Sequence, residues 1–392
     1  MTPSRRLPAL PVFLALSLLA PLATFAPAGP ARAEESPAAA ESDSAAVAEV
    51  GKVEIHGYGD FQYNNPKPET MSRGATNQID LRAIELSWEY GWTPALRAEV
   101  EAEFEHAGGD IELEEATLEY DLARDLSLRA GALIMPVGRL NEAHDPTLYY
   151  SVERPYVEQI VIPTTWQEGG AGIAGGEEED RFQYRAYVTE GLDAAGFSAL
   201  NGIRDGVMHS EESKASDLAG TGRLVVGPAR GLSLGASGYY GGADQRKPGL
   251  GKVAVTLADA DARFQRGGAD LRGALVWTAI DGADRVSTLV GQTVGRRILG
   301  WYFEAAYDVL GRGRALPHGR ALVLFARAER IDTNNSVPAG FRVDPAADRR
   351  ILTGGAAYYP VDRVAFKADL EHWKDGTDAT LDRFNLAACF LF

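Results

Sequence analysis

Residues 96–106 read LRAEVEAEFEH, and the reading of this stretch decides the fold. Leu96, Ala98, Val100, Ala102, Phe104 and His106 alternate with Arg97, Glu99, Glu101, Glu103 and Glu105. A helix would scatter these glutamates around its cylinder. A strand points successive side chains to opposite faces, so it gathers the acids on one face and leaves the other apolar. The spacing predicts a strand.

The same period of two extends in both directions. Val53, Ile55, Gly57, Gly59, Phe61 and Tyr63 alternate with Glu54, His56, Tyr58, Asp60, Gln62 and Asn64, and Ile84, Leu86, Trp88 and Tyr90 alternate with Glu85, Ser87 and Glu89. Comparable runs occupy 115–122, 126–136, 182–190, 218–227, 232–241, 253–265, 269–280, 297–309, 321–330, 351–359, 364–373 and 383–392. With the glycine-rich 168–176 segment they predict about sixteen strands. Short turn sequences stand at 92–94, 124–125, 228–231, 267–268 and 360–362. Longer polar stretches at 64–77, 139–167, 193–216, 242–251, 281–295, 331–350 and 374–381 are expected to be external loops.

A soluble sandwich would share the period, but two features favour closure in a membrane. Tyr63, Trp88, Tyr90, Tyr120, Tyr240, Trp277, Trp301 and Tyr307 sit near strand ends, where a barrel needs interfacial aromatic girdles. So many antiparallel strands would also leave reactive edges unless the sheet closed. At the end of the chain Phe384, Leu386, Ala388, Phe390 and Phe392 alternate, and Phe392 is terminal. This pattern resembles the closing strand read by the outer-membrane assembly machinery. The expected fold is therefore all-β: a transmembrane antiparallel β-barrel of about sixteen strands over residues 51–392, in contact with bacterial outer-membrane lipid.

The preceding residues read as export signals. Arg5 and Arg6 precede an apolar stretch from Leu10 to Leu22 that is broken by Pro11 and Pro21, and Ala31-Arg32-Ala33 gives a cleavage pattern. Residues 1–33 are expected to be a signal peptide and 34–50 a flexible periplasmic leader. Cys389 is the sole cysteine, which excludes an intrachain disulfide and a cysteine-rich metal site.

Charge is divided unevenly. Residues 34–200 hold 33 acidic against 11 basic side chains, whereas 201–392 hold 22 against 25. Nucleic acid is an implausible partner for such a chain. Gly170-Ala171-Gly172-Ile173-Ala174-Gly175 matches a dinucleotide fingerprint, but Glu177-Glu178-Glu179-Asp180 follow it and would repel a pyrophosphate. His56, His106, His144, His209, His318 and His372 show no metal-ligand spacing, and no G-x-S-x-G elbow is present. No enzymatic activity, cofactor or metal is expected. A barrel hydrolase assembled from distant strands is the alternative on this point.

If Val100 and Phe104 face lipid, then Arg97, Glu99, Glu101, Glu103 and Glu105 face the lumen, joined by Glu115, Glu119 and Asp121 from the next strand. The opposite assignment would drive carboxylates into hydrocarbon. Arg263, Arg272 and Arg327, with Arg297 as a further candidate unless it ends a strand, are expected to form an opposing basic wall and a transverse field. The 139–167 segment is unusually apolar for a surface loop. Folding inward would bury Val157, Ile160, Val161 and Ile162 and offer Glu142, Asp145, Glu153, Arg154 and Glu158 to the pore. An external loop used in subunit contacts is the alternative.

The stretches Ala132-Leu133-Ile134-Met135-Pro136-Val137-Gly138, Glu153-Arg154 and Ile162-Pro163-Thr164-Thr165-Trp166 resemble the phosphate-selective porin O/P group. So do Phe325-Ala326-Arg327-Ala328-Glu329-Arg330-Ile331-Asp332-Thr333-Asn334 and Ala365-Phe366-Lys367-Ala368-Asp369. The resemblance implies sixteen strands, a homotrimer and an inward-folded loop. It also implies lysine- and arginine-rich anion selection, from which this chain departs, with no lysine between residues 68 and 213. The function expected from the residues is passive diffusion of small hydrophilic solutes with a lean toward cations. The alternatives are a phosphate- or anion-selective porin, a plugged barrel serving as scaffold or surface binder, and, more distantly, a soluble secreted β-protein.

Overall fold

A computed structural model describes residues 50–65, 77–176, 181–311 and 319–392. The expected signal peptide, and all but the last residue of the expected leader, lie outside the described residues. The first eight strands are β1 (Val53–Asn65), β2 (Gln78–Thr93), β3 (Leu96–Glu105), β4 (Asp110–Ala123), β5 (Leu126–Ile134), β6 (Gln167–Gly175), β7 (Phe182–Glu190) and β8 (Leu218–Ala229). The second eight are β9 (Leu232–Gly242), β10 (Ala254–Arg266), β11 (Ala269–Asp281), β12 (Arg297–Asp308), β13 (Ala321–Ser336), β14 (Asp348–Val361), β15 (Val364–Asp375) and β16 (Thr380–Leu391). Each pairs antiparallel with its chain neighbours, and β1 pairs with β16 to close the barrel, Tyr58 opposite Leu391 and Asn65 opposite Phe384.

Side-chain parity follows the alternation. Val100, Leu118, Leu128, Leu275, Leu352 and Leu370 are exposed on the outside, with Tyr120, Tyr240, Trp277, Trp301 and Tyr307 among them. A belt of that size is stable only against hydrocarbon. The barrel belongs in the bacterial outer membrane. Among the described residues no helix is long and apolar enough to cross a membrane, so the strands make the crossing.

Two register shifts alter the inner face. Between β3 and β4 the pairing passes from Glu101–Glu115 to Ala102–Leu113, leaving Glu114 as a bulge. Strict alternation would send Glu114 to lipid. The bulge keeps it inside, where it is buried. Between β1 and β2 a similar shift sets Arg82 between the pairs Asp60–Ala83 and Phe61–Leu81.

The loops correct the expectation of uniformly external connections. Residues 191–217 carry Leu192, Phe197 and Ile203 into a core shared with Val255 and Leu257 of β10, Val276 and Ile280 of β11, and Ile298 of β12. Thr333 Oγ1 donates to the Ala199 carbonyl at 2.6 Å, fastening this loop to the far wall. The 281–295 segment contains a helix, α1 (Ala283–Val290), whose Val286 joins the same core. The apolar side chains of these segments need cover, and the barrel mouth supplies it. The Gly170–Gly175 sequence lies in β6, paired with β5 and β7, and opens no helix.

Candidate functional site

Residues 135–166, between β5 and β6, fold into the barrel, as their apolar content predicts. Met135, Val137, Val157, Val161, Ile162 and Trp166 are all buried. Asn141 clamps the two ends of the loop together: its Nδ2 donates to Met135 O at 2.8 Å and Trp166 O at 2.9 Å, and its Oδ1 accepts from Trp166 N at 2.9 Å. A helical turn at Val157–Val161 then seats on β12 at Gly300. A Cβ at Gly300 would stand 2.7 Å from Val161 and 3.0 Å from Val157, so only glycine admits this approach.

Polar anchors fix the loop to one side of the barrel. Arg327 donates to Ser151 Oγ and, at 3.3 Å, to the Glu153 carbonyl. Lys367 donates to the carbonyls of Pro146 and Ser151, and Asp369 accepts from Val152 N at 2.6 Å. Arg272 reaches Leu148 O at 2.9 Å, Tyr359 reaches Thr147 O at 3.1 Å, and Arg383 reaches Tyr156 Oη at 2.6 Å. Residues 146–156 of the loop therefore lie against β11–β16, while Glu142 and His144 reach β7, β2 and β4 across the space left beside β2–β7.

That space is a cavity of about 850 Å³ reaching Arg124, Asp362 and Phe392 at the turn end of the barrel. Glu99, Glu101, Glu115, Glu119 and Asp121 line it, as parity predicts, together with Arg97. Its wall holds ten carboxylates against five arginines, so the potential inside is negative. Some of these charges are paired: Arg97 with Glu119 at 2.5 Å and Asp121 at 2.8 Å, Arg129 with Glu119 at 2.8 Å, and Glu142 with Arg185 at 2.7 Å. Glu103 is buried and receives the Tyr58 hydroxyl at 3.4 Å, and Glu105 pairs with Arg82.

Three expectations need correction, and Arg297 takes the strand-end alternative left open for it. Arg263, Arg272 and Arg327 do face inward, but they form no free basic wall. Arg263 and Arg272 each meet Asp270 at 2.8 Å, and Arg327 meets Glu329 at 2.6 Å and Glu304 at 3.2 Å. Guanidinium groups this enclosed require carboxylate partners, and the inward loop seals them in. Arg297 lies exposed at the start of β12, the strand-end position. Glu158 does not meet the pore. It accepts from Arg139 N at 3.0 Å, Leu140 N at 2.6 Å and Tyr302 Oη at 2.8 Å, and its burial raises its pKa above the ordinary carboxylate range. Finally, the positive groups opposite the acids come from loops. Half-buried Arg154 donates to Thr164 Oγ1 at 3.1 Å and lies within the field of Glu103 and Glu114. Arg204, exposed on the 191–217 loop, is held below its ordinary pKa by partial desolvation and by the charges of Arg82 and Arg154. Asp145 lines the cavity as expected, and Glu153 stays half-buried beneath Arg327.

Three inward groups escaped the sequence reading as a set. His144 Nε2 lies 3.1 Å from Glu85 Oε2 and 3.1 Å from Glu114 Oε2, with all three residues buried. They come from the loop, β2 and β4. Glu85 was legible from its parity, but Glu114 required the bulge, and His144 required the path of the loop.

A protein of Aquifex aeolicus (strain VF5), described only as uncharacterized, is 32% identical over 352 residues, covering 84% of this chain and 78% of its own. The two belong to one family. No protein-family profile matches the chain. Solved structures share the fold of this family member at low identity. The outer membrane channel DcaP of Acinetobacter baumannii aligns with a TM-score of 0.59 and 11% identity, covering 90% of this chain and 99% of that one. The anion-selective porin from Comamonas acidovorans gives 0.55 and 11%, covering 87% and 99%. OmpT of Vibrio cholerae, in its trimer form, gives 0.55 and 10%, covering 88% and 100%. The architecture is that of outer-membrane porins.

Proposed function

We propose that the protein is a porin that lets small hydrophilic solutes diffuse passively across the outer membrane, with a preference for cations. The observation that carries this reading is the acidic cavity along β2–β7, left open by a loop fastened to the opposite wall. Its acids of β3 and β4 share the wall with Arg97, Arg129 and Arg185, so a hydrated solute meets a field that orients dipoles and hinders apolar molecules. The protein does this without catalysis. The trimer form of one structural neighbour supports a homotrimeric assembly here too.

Purified protein reconstituted in a planar bilayer is expected to give discrete conductance steps, and a salt gradient is expected to give a reversal potential of cationic sign. Absence of any conductance would favour the plugged barrel. A clear anion preference at low ionic strength would favour the phosphate-selective porin O/P resemblance, with Arg82, Arg154 and Arg204 as the selecting groups.

A further inference from the structure

We propose that Glu85, Glu114 and His144 form a binding site for a divalent first-row transition-metal ion, of which Zn²⁺ is the probe, pinning the inward loop to the acidic wall. The argument begins with the imidazole. Its Nδ1 lies 3.1 Å from the Asn141 backbone carbonyl, which can only accept, so Nδ1 carries the proton. Nε2 then presents its other valence to two carboxylate oxygens, each 3.1 Å away. A bare lone pair aimed at two carboxylates is repulsive, so a proton, on Nε2 or on a carboxyl oxygen, or a metal ion must sit between them.

Charge favours the metal ion. An imidazolium neutralises only one of the two carboxylates, Arg154 acts on Glu114 from a distance without pairing with it, and further acids crowd the same spot. Glu101 acts electrostatically on Glu85 and His144, and its buried Oε2 accepts no hydrogen bond among the described residues. Glu103 lies close enough to Glu114 to add its charge. Geometry agrees. The three ligand atoms lie within 4.8 Å of one another. In a tetrahedral zinc site neighbouring ligand atoms stand roughly 3.3 Å apart. The carbonyl that orients the imidazole is the usual outer partner of a metal-bound histidine. Glu85 and His144 also border the cavity, which supplies water for the fourth position. The imidazole selects zinc-like ions over Mg²⁺ and Ca²⁺, which take all-oxygen shells.

The test uses the whole protein purified in detergent and stripped with chelator, with Zn²⁺ and Mg²⁺ each titrated by calorimetry. One saturable Zn²⁺ site per chain is expected, with weaker Mg²⁺ binding. His144→Ala and Glu114→Gln are each expected to weaken Zn²⁺ binding by at least about tenfold. Heat-modifiable gel mobility checks that each variant still forms a barrel. Equal affinities for Zn²⁺ and Mg²⁺, no saturable site, or undiminished binding in folded His144→Ala would each overturn the proposal. The readout is independent of the channel reading, which bilayer current tests separately: Zn²⁺ that binds a conducting barrel is expected to lower its current.

Discussion

Two walls of this barrel obey the same parity rule and use it for opposite ends. On β2–β5 many inward positions are carboxylates bordering a cavity, and among the described residues Glu99, Glu101 and Glu115 form no ion pair. On β11–β15 the inward positions are ion pairs and apolar side chains, closed over by residues 135–166. Alternation therefore determines which side chains point inward, but it does not determine whether the inside is water or core. That second property depends on what the loops bring to each wall.

The largest expected contrast lies between buried and watered charges. Arg327→Ala strips the cation from Glu329 beneath the loop, leaves Glu304 with Arg272 alone at 3.4 Å, and is expected to cost roughly 3–5 kcal/mol. Glu142→Gln removes a pair with Arg185 that is partly open to the cavity, and is expected to cost about 1 kcal/mol or less. Urea unfolding of the lipid-embedded barrel measures both, and equal costs would erase the distinction between the walls.

A smaller effect tests parity on the acidic wall. Val100→Arg places a charge at lipid depth, with an expected cost of about 2–4 kcal/mol near the midplane. Glu101→Arg meets only the cavity, so folded yield should hold. Comparable damage from both in the same refolding assay would mean the faces are misassigned.

Selectivity moves less than stability. Replacing Glu99, Glu101, Glu103 and Glu105 together by Gln is expected to shift the reversal potential toward zero, most at low salt, where the screening length grows from about 10 Å at 0.1 M to about 30 Å at 0.01 M. Arg263→Gln is expected to shift it least, because Asp270 keeps Arg272 as a partner. A larger shift from Arg263 than from the four glutamates would relocate the narrow passage to the other wall.

Much of the fold was legible in the sequence because period-two alternation is a local property. Residues 182–190 correspond to β7 without adjustment, and the glutamates of β3 point inward as their spacing requires. An inward path for residues 139–167 was one of two readings offered by Val157, Ile160, Val161 and Ile162, the other being burial in subunit contacts, and the loop takes the inward one. What escaped depends on distant partners. Glu158 looked like any loop acid until Tyr302 of β12 reached it. Arg272 and Arg327 are a local omission instead: they looked like pore cations because their parity was read without that of Asp270 and Glu329, two residues away on the same strands, or of Glu304 on the adjacent β12. Glu114 was hidden by a single unpaired residue in a register.

The bonds of Arg383 bear on how the molecule is put together. Its side chain holds Asn64 of β1 at 2.9 Å, Glu371 of β15 at 2.8 Å and Tyr156 of the inward loop at 2.6 Å. The contact between Asn64 and Arg383 joins positions 319 residues apart, so zipping β1 to β16 restricts almost the whole chain at once. Tyr156 reaches that seam from inside. The loop thus braces the seam between the first and last strands from within the cylinder. A chain whose loop stayed outside would bring its ends together without this brace, and Arg383 would be enclosed without the hydroxyl that the loop supplies.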